Sequence, residues 1–218
     1  MAAREKSFRL TGLTMSRPVA FIFALIYVFQ SAIIFYLLLD RFENERLIQF
    51  QQTKIEQLEE KLKILEIIED FQVGMRPSEQ GQLVNVIYEQ SKKYGYDPLL
   101  LLALINVESS FKKEAVSNMG AVGLMQMKPS VGSDVANRRG LDWANRSNLY
   151  EPDYNVELGS LYLFELILKF GDVKDAITAY NIGETRLRRL QKQDKEPPKV
   201  YLRKVLKKYE ELKEKYDA

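Results

Sequence analysis

Residues 18–39, PVAFIFALIYVFQSAIIFYLLL, run for 22 positions without a formal charge. At about 1.5 Å rise per residue, a helix over this stretch spans the roughly 30 Å hydrocarbon core of a bilayer. A chain of 218 residues has little material with which to bury a helix that is apolar on every face. Gln30 and Ser31 are the only polar interruptions, and a membrane helix tolerates both. The run therefore predicts a transmembrane helix over 18–39. Before it stand Arg4, Lys6, Arg9 and Arg17 against the single acid Glu5. By the positive-inside rule, residues 1–17 stay in the cytoplasm and everything after Asp40 lies outside. A cleaved signal peptide fits less well, because the run is too long and ends in LLLDRF rather than in small residues.

Residues 40–73 change character. The stretch DRFENERLIQFQQTKIEQLEEKLKILEIIEDF has no Pro or Gly, and Ile48, Ile55, Leu58, Leu62 and Leu65 recur at alternating heptad steps. That is an a/d seam with Gln51 at one polar d position, and it predicts a coiled-coil-like stalk. Paired through residues 48–65, the stalk would make a homodimer. The alternative is one amphipathic helix lying on the globular domain. Gly74, Pro77 and Gly81 then mark a boundary, and residues 74–218 are expected to fold as a separate domain.

Within that domain the pattern is helical, with no strand-period alternation from 79 to 218. A helix is expected from about Glu79 to Tyr94, stopped at Gly95. Asp97-Pro98 reads as the N-cap and first position of the next, PLLLLALINVESSF. Asn155 to Phe170 forms another, ended by Gly171. Asp172 caps VKDAITAYN, which stops at Gly183. A basic segment, ETRLRRLQKQ, follows, and Pro197-Pro198 separates a last amphipathic helix carrying Val200, Leu202, Val205, Leu206, Tyr209 and Leu212. The fold class is mainly α.

Composition restricts the chemistry. The chain has no cysteine and no histidine. This excludes disulfides, thiol nucleophiles, zinc-thiolate sites and any Ser-His-Asp arrangement. Proton transfer near neutral pH must fall to carboxylates, helped by Tyr or Lys. A net charge of +2 does not provide the broad basic field of a nucleic-acid binder. No metal and no organic cofactor is expected.

One carboxylate stands out. Leu101, Leu104 and Ile105 lie seven, four and three residues before Glu108 and share its helix face. That apolar face must be buried, and burial disfavours the charged form of a carboxyl group. A glutamic acid kept protonated near neutral pH can donate its proton to a leaving oxygen, as glycoside cleavage requires. Twelve residues on, Gly120 and Gly123 bracket a tight turn that permits close backbone approach. Gln126 follows, with donors and an acceptor suited to sugar hydroxyls and acetamides, beside the adaptable apolar surface of Met125 and Met127. A helix start packed on the core would explain the same turn.

Four blocks then fall in order: Glu108-Ser109-Ser110-Phe111, Gly120-Ala-Val-Gly-Leu-Met-Gln126, Asn155-Val-Glu-Leu-Gly159 with Tyr162-Leu163, and Ala179-Tyr-Asn-Ile-Gly183. Together they resemble the soluble lytic murein transglycosylase family over about residues 80–190. The resemblance implies a lysozyme-like helical domain. It makes Glu108 the single catalytic acid, which then serves as base. It places Met125 and Gln126 along the sugar-binding cleft, the Tyr180 hydroxyl near the acid, Asn181 as a residue holding the site together, and Ser109 beside the acid in a more structural role. The chain departs from the family at Met127-Lys128-Pro129, at Glu151-Pro152 and at Gly183-Glu184-Thr185, all on the rim of the cleft.

The activity so implied is peptidoglycan cleavage at the MurNAc–GlcNAc β-1,4 bond with formation of a 1,6-anhydro end. It would come from a domain on the extracytoplasmic side of a bacterial cytoplasmic membrane, held there by a single pass. Candidates for a second carboxylate, Asp134, Asp142, Glu151 and Asp153, fall in no block. The competing readings are a lysozyme-type muramidase acting on the same bond and a non-catalytic wall-binding scaffold.

Overall fold

The computed structural model describes residues 8–10, 13–71 and 74–216. The chain divides into two compact units, residues 1–57 and 58–218. The first holds a short antiparallel pair, β1 (Phe8–Leu10) and β2 (Leu13–Met15), which no alternation in the sequence announces. It also holds most of helix α1 (Arg17–Asp70). One helix runs through the apolar segment and on through residues 40–70 of the stalk. The stretch at 18–39 is long and apolar enough to cross a membrane, with none of its most hydropathic window buried. The rest of the expected N-terminal segment, residues 1–7 and 11–12, lies outside the described residues.

The second unit is an all-helical domain. Its elements are the last turns of α1, then α2 (Pro77–Tyr94), α3 (Pro98–Ser109), α4 (Pro129–Arg139), a 3₁₀ turn (Arg146–Tyr150), α5 (Pro152–Phe170), α6 (Val173–Ile182), α7 (Glu184–Lys192) and α8 (Val200–Tyr216). The punctuation read from the sequence acts as expected. Gly95 and Gly171 end α2 and α5 in the left-handed conformation, φ +70° and +71°. The Asp97 carboxylate accepts from the Leu99 amide at 2.9 Å, and Asp172 accepts from Asp175 at 2.9 Å. Helix α4 and the 3₁₀ turn have only weak apolar periodicity, and the basic segment after Gly183 folds as α7.

The apolar helix α3 is the centre of the unit, with Leu101 to Ile105 fully buried. Helix α8 runs antiparallel along it. The Tyr209 hydroxyl donates to Asp97 at the start of α3 at 2.6 Å, and the Tyr201 hydroxyl donates to Glu108 at its end. The far end of α8 closes on α1, where Lys215 donates to Asp70 at 2.5 Å and Tyr216 donates to the same carboxylate.

The second compact unit begins at residue 58, ahead of Gly74. Ile64, Ile67 and Ile68 on α1 are 2%, 0% and 0% exposed and belong to the main core. In the same turns Leu58 and Leu62, members of the heptad seam, remain 50% and 63% exposed. At about 100° per residue the two stripes lie on roughly opposite faces of the helix. The end of the stalk is thus part of the folded domain through one face only. Ile67→Ala should lower stability by about 2–5 kcal/mol, whereas Leu62→Ala should change it by less than about 0.5 kcal/mol. Thermal unfolding of the detergent-solubilised chain measures both, and equal effects would contradict this division of faces.

Candidate active site

Helix α3 ends abruptly after Glu108. Ser110 and Phe111 both take positive φ, +50° and +59°, a conformation that costs a residue with a Cβ about 1–2 kcal/mol. The reversal sends the Phe111 ring into the core, where it is 0% exposed and stacks on Phe71 with centroids 4.7 Å apart. Burial of an aromatic ring offsets the backbone strain. Glu108 is left half-buried at the point where α3 emerges. Ser109, expected beside the acid in a structural role, is buried, and its hydroxyl donates to the Ile105 carbonyl at 3.1 Å. It completes the helix end and does not reach the groove.

The segment after Phe111 is not a helix start. Isolated bridges join Val116 to Val122 and Val122 to Met127, folding residues 115–127 into a compact loop. Gly120 and Gly123 have φ +76° and +81°. At Gly123 the space of a Cβ is already taken, since one placed there would lie 2.2 Å from Asn155 Nδ2 and 2.3 Å from the Leu149 carbonyl oxygen. The close approach predicted at this glycine is made by Asn155, not by a ligand. Asn155 is fully buried and accepts from the Met125 amide at 2.7 Å. Its own amide donates to the Val122 carbonyl at 2.9 Å and to the Leu149 carbonyl at 2.8 Å. One side chain from α5 thus satisfies three backbone groups that would otherwise be stranded in the core.

Gln126 sits on this loop with φ +48°. Its side-chain amide donates to the Ala115 carbonyl at 3.0 Å and to the Gly123 carbonyl at 2.9 Å. Both amide hydrogens are thereby committed, so Gln126 offers a ligand its carbonyl oxygen only. Met125 departs from expectation. Its side chain is 0% exposed and packed so closely under α5 that a Cβ on Gly159 would lie 2.5 Å from its sulfur. Met127 and Met119 take the cleft-facing role instead. Tyr180 donates its hydroxyl to the Met125 carbonyl at 2.8 Å and meets the Met127 sulfur at 3.2 Å. Its ring lies against Tyr162, centroids 5.4 Å apart.

Two clefts meet at Glu108. One, about 330 Å³, is bounded by the 115–127 loop with Gln126 and Met127, by Tyr162 on α5, and by Tyr180, Asn181 and Gly183 at the end of α6. The other, about 390 Å³, lies between the end of α3 and the start of α8, with Val107, Pro198, Val200, Tyr201 and Lys204. Glu108 and Asn181 line both. Asn181 is exposed at the rim, so the holding role expected of it falls to the buried Asn155. Glu108 is the only carboxylic acid among the described residues of either wall. Asp134, Asp142, Glu151 and Asp153 are all absent from both.

The environment of Glu108 has one dominant effect. Loss of water around the carboxyl group raises its pKa from 4.5 to about 7, against a smaller opposing pull from the Tyr201 hydroxyl that donates to it. Burial also raises Tyr180 and Tyr201 well above the usual phenol range, with the Glu108 charge adding to both, so each stays a hydrogen-bond donor. Tyr201 was not singled out in the sequence, although a signal existed. Tyr201, Val205, Tyr209 and Leu212 recur at steps of four, four and three, one continuous helix face.

The Transglycosylase SLT domain family matches residues 85–203, more than half of the chain. The chain belongs to this family. Membrane-bound lytic murein transglycosylase C of Actinobacillus pleuropneumoniae is 40% identical over 84 residues, covering 38% of this chain and 23% of that protein. The Shigella sonnei protein of the same name is 34% identical over 145 residues, 60% of this chain and 40% of that protein. The chain thus spans less than half the length of these SLT relatives. An inactive mutant of lytic transglycosylase Slt from Pseudomonas aeruginosa superposes with a TM-score of 0.55 at 26% identity, covering 62% of this chain and 24% of that one. The 70 kDa soluble lytic transglycosylase of Escherichia coli, at 20% identity and a TM-score of 0.54 over 60% of this chain and 24% of that one, shares the fold. The lysozyme-like SLT fold expected from the four blocks is the fold observed.

Because Glu108 titrates near 7 when folded and near 4.5 when unfolded, it leaves stability intact below pH 4.5 and lowers it as pH rises to 7. Glu108→Gln removes that proton linkage. The variant should gain on the parent by up to about 3 kcal/mol between pH 4.5 and 8. Denaturant titrations at the two pH values test this, and a constant difference would contradict it.

Proposed function

We propose that the domain is a peptidoglycan lytic transglycosylase whose single catalytic group is Glu108. The observation that carries this reading is a lone desolvated carboxyl group, with a pKa of about 7, at the junction of two clefts that contain no second acid among the described residues. Hydrolases that retain or invert configuration ordinarily use two carboxylates, and here a partner is missing from both walls. The chemistry must then draw its second participant from the substrate.

Protonated Glu108 gives its proton to the glycosidic oxygen between MurNAc and GlcNAc as that bond breaks. The N-acetyl oxygen of MurNAc stabilises the anomeric carbon from the opposite face. Glu108, now a carboxylate, takes the proton of the C6 hydroxyl, whose oxygen closes onto C1 as a 1,6-anhydro ring. The proton lost in the first step is regained in the second, and no water is consumed. Tyr201 holds the carboxyl orientation throughout. Gln126 presents its carbonyl oxygen to sugar or acetamide donors, and Tyr162 and Tyr180 supply flat surface for the rings. Met125, Ser109 and Asn155 support this wall without touching substrate. The muramidase alternative differs in the acceptor alone, with water instead of the C6 hydroxyl giving its proton to the Glu108 carboxylate, and the names of the SLT relatives favour the transglycosylase.

The curated SLT relatives carry "membrane-bound" in their names, and α1 is apolar enough to span a bilayer, so we assign the chain to a bacterial cytoplasmic membrane through a single pass at 18–39. The basic residues ahead of it support the outward placement of the SLT domain, where peptidoglycan lies. Ile48, Ile55, Leu58 and Leu62, 48–63% exposed, support parallel pairing of two chains through residues 48–65.

Glu108→Gln should reduce cleavage of purified sacculi by at least about 10³-fold while retaining glycan binding. In the parent, kcat/KM should fall as pH rises through about 7, since only the protonated acid is active. Mass spectrometry of products should show anhydro ends. Reducing ends, one water heavier, would replace the transglycosylase by a muramidase, and full activity of the Gln variant would remove Glu108 from the reaction.

A further inference from the structure

The cleft between α3 and α8 contains a cation with no use inside the domain. Helix α8 carries five lysines. Lys207 and Lys208 pair with Glu211, Lys215 pairs with Asp70, and Lys213 lies over the Tyr209 ring at 5.8 Å. Lys204 makes no ion pair and no side-chain hydrogen bond among the described residues, yet it lines the cleft together with Glu108 and Asn181. Lys204 forms no ion pair with Glu108, whose carboxyl accepts its hydrogen bond from Tyr201. The rest of this wall is the first turn of α8, Pro198, Val200 and Tyr201, so the positive end of a 17-residue helix adds to the lysine charge.

The two clefts differ accordingly. The Gln126 side presents a neutral acceptor, tyrosine rings and methionine to a sugar, with Lys128 on the loop side of that wall. The α8 side presents an unpaired ammonium group in the same cleft as the Glu108 carboxyl. A bare neutral saccharide leaves that charge unused, whereas the peptides borne by the glycan strand end in carboxylates.

From this geometry we infer that Lys204 is a specificity determinant, a binding site for a carboxylate of the peptide carried by the glycan strand. This deepens the function proposed above and rests on it. Lys204 binds substrate away from the reacting atoms, so its removal weakens recognition and leaves the Glu108 chemistry unchanged. A charge-assisted contact of this kind at a partly open site corresponds to about tenfold in kcat/KM. It is screened by salt over a Debye length of about 8 Å at physiological ionic strength.

The test uses the full chain in detergent and two forms of one substrate. One is soluble glycan strands with peptide carboxylates free. The other is the same strands with those carboxylates capped as methyl amides. Lys204→Ala should lower kcat/KM about tenfold on the free form, mainly through KM, and less than about twofold on the capped form. Lys204→Arg should restore most of the loss, and the parent enzyme should itself lose a similar factor when the strands are capped. Equal loss on both forms, or no loss on either, would overturn the inference while leaving the proposed activity in place. A parent enzyme that cleaves neither form would instead overturn the activity, and this assignment with it.

Discussion

The desolvation of one carboxyl group is the constraint on which the rest of the site depends. Glu108 stands at the end of a helix whose residues Leu101 to Ile105 are fully buried, and Tyr201 of α8 meets it from the other side. Water is excluded and no cation pairs with the carboxyl in its place, so the neutral acid is favoured and the pKa rises to about 7. Tyr201 works in the opposite direction, because its hydroxyl donates to the carboxyl and favours the ionised form. The larger effect is burial. The balance leaves a group that can give a proton and take one back near neutral pH, which a single-acid mechanism requires.

The surrounding structure holds that balance and shapes the two clefts that meet at the carboxyl. Two successive residues in the left-handed conformation end α3 at the right place, and the buried Phe111 ring offsets their strain. The 115–127 loop is fixed from beneath by Asn155, a buried amide with three backbone partners, and from the side by the Tyr180 hydroxyl on the Met125 carbonyl. Glu165 on α5, 7% exposed, takes Arg138 at 2.6 Å and Arg139 at 3.0 Å and ties the end of α4 to the same scaffold. These polar contacts set geometry more than they add stability, since each replaces hydrogen bonds to water.

Much of this was legible in the sequence where local chemistry decides the outcome. The caps at Asp97 and Asp172, the stops at Gly95 and Gly171, and the apolar face ending at Glu108 are short-range signals, and the helices follow them. What was not legible depends on tertiary partners. The sequence shows a heptad seam at 48–65 but not that Ile64, Ile67 and Ile68, on the opposite face, enter the domain core. Met125 and Met127 are chemically alike and both are buried, yet only Met127, bridged to Val122, lines the cleft. Asn155 reads as part of a family block, yet its work is to hold a loop some 30 residues away. Tyr201 lies 93 residues beyond Glu108 and meets it only because α8 folds back along α3. The seven-residue periodicity and the glycine turns are local facts. The pairing of Tyr201 with Glu108 is a property of the whole domain.

The most direct test of the account is a site-resolved titration of the Glu108 carboxyl carbon by NMR in the intact, detergent-solubilised chain, with Glu108→Gln identifying the resonance. A midpoint close to 7 is the predicted result. A midpoint near 4.5, the value of a solvated glutamate, would contradict it, because a carboxyl group that ionises so readily cannot be the proton donor proposed for this domain.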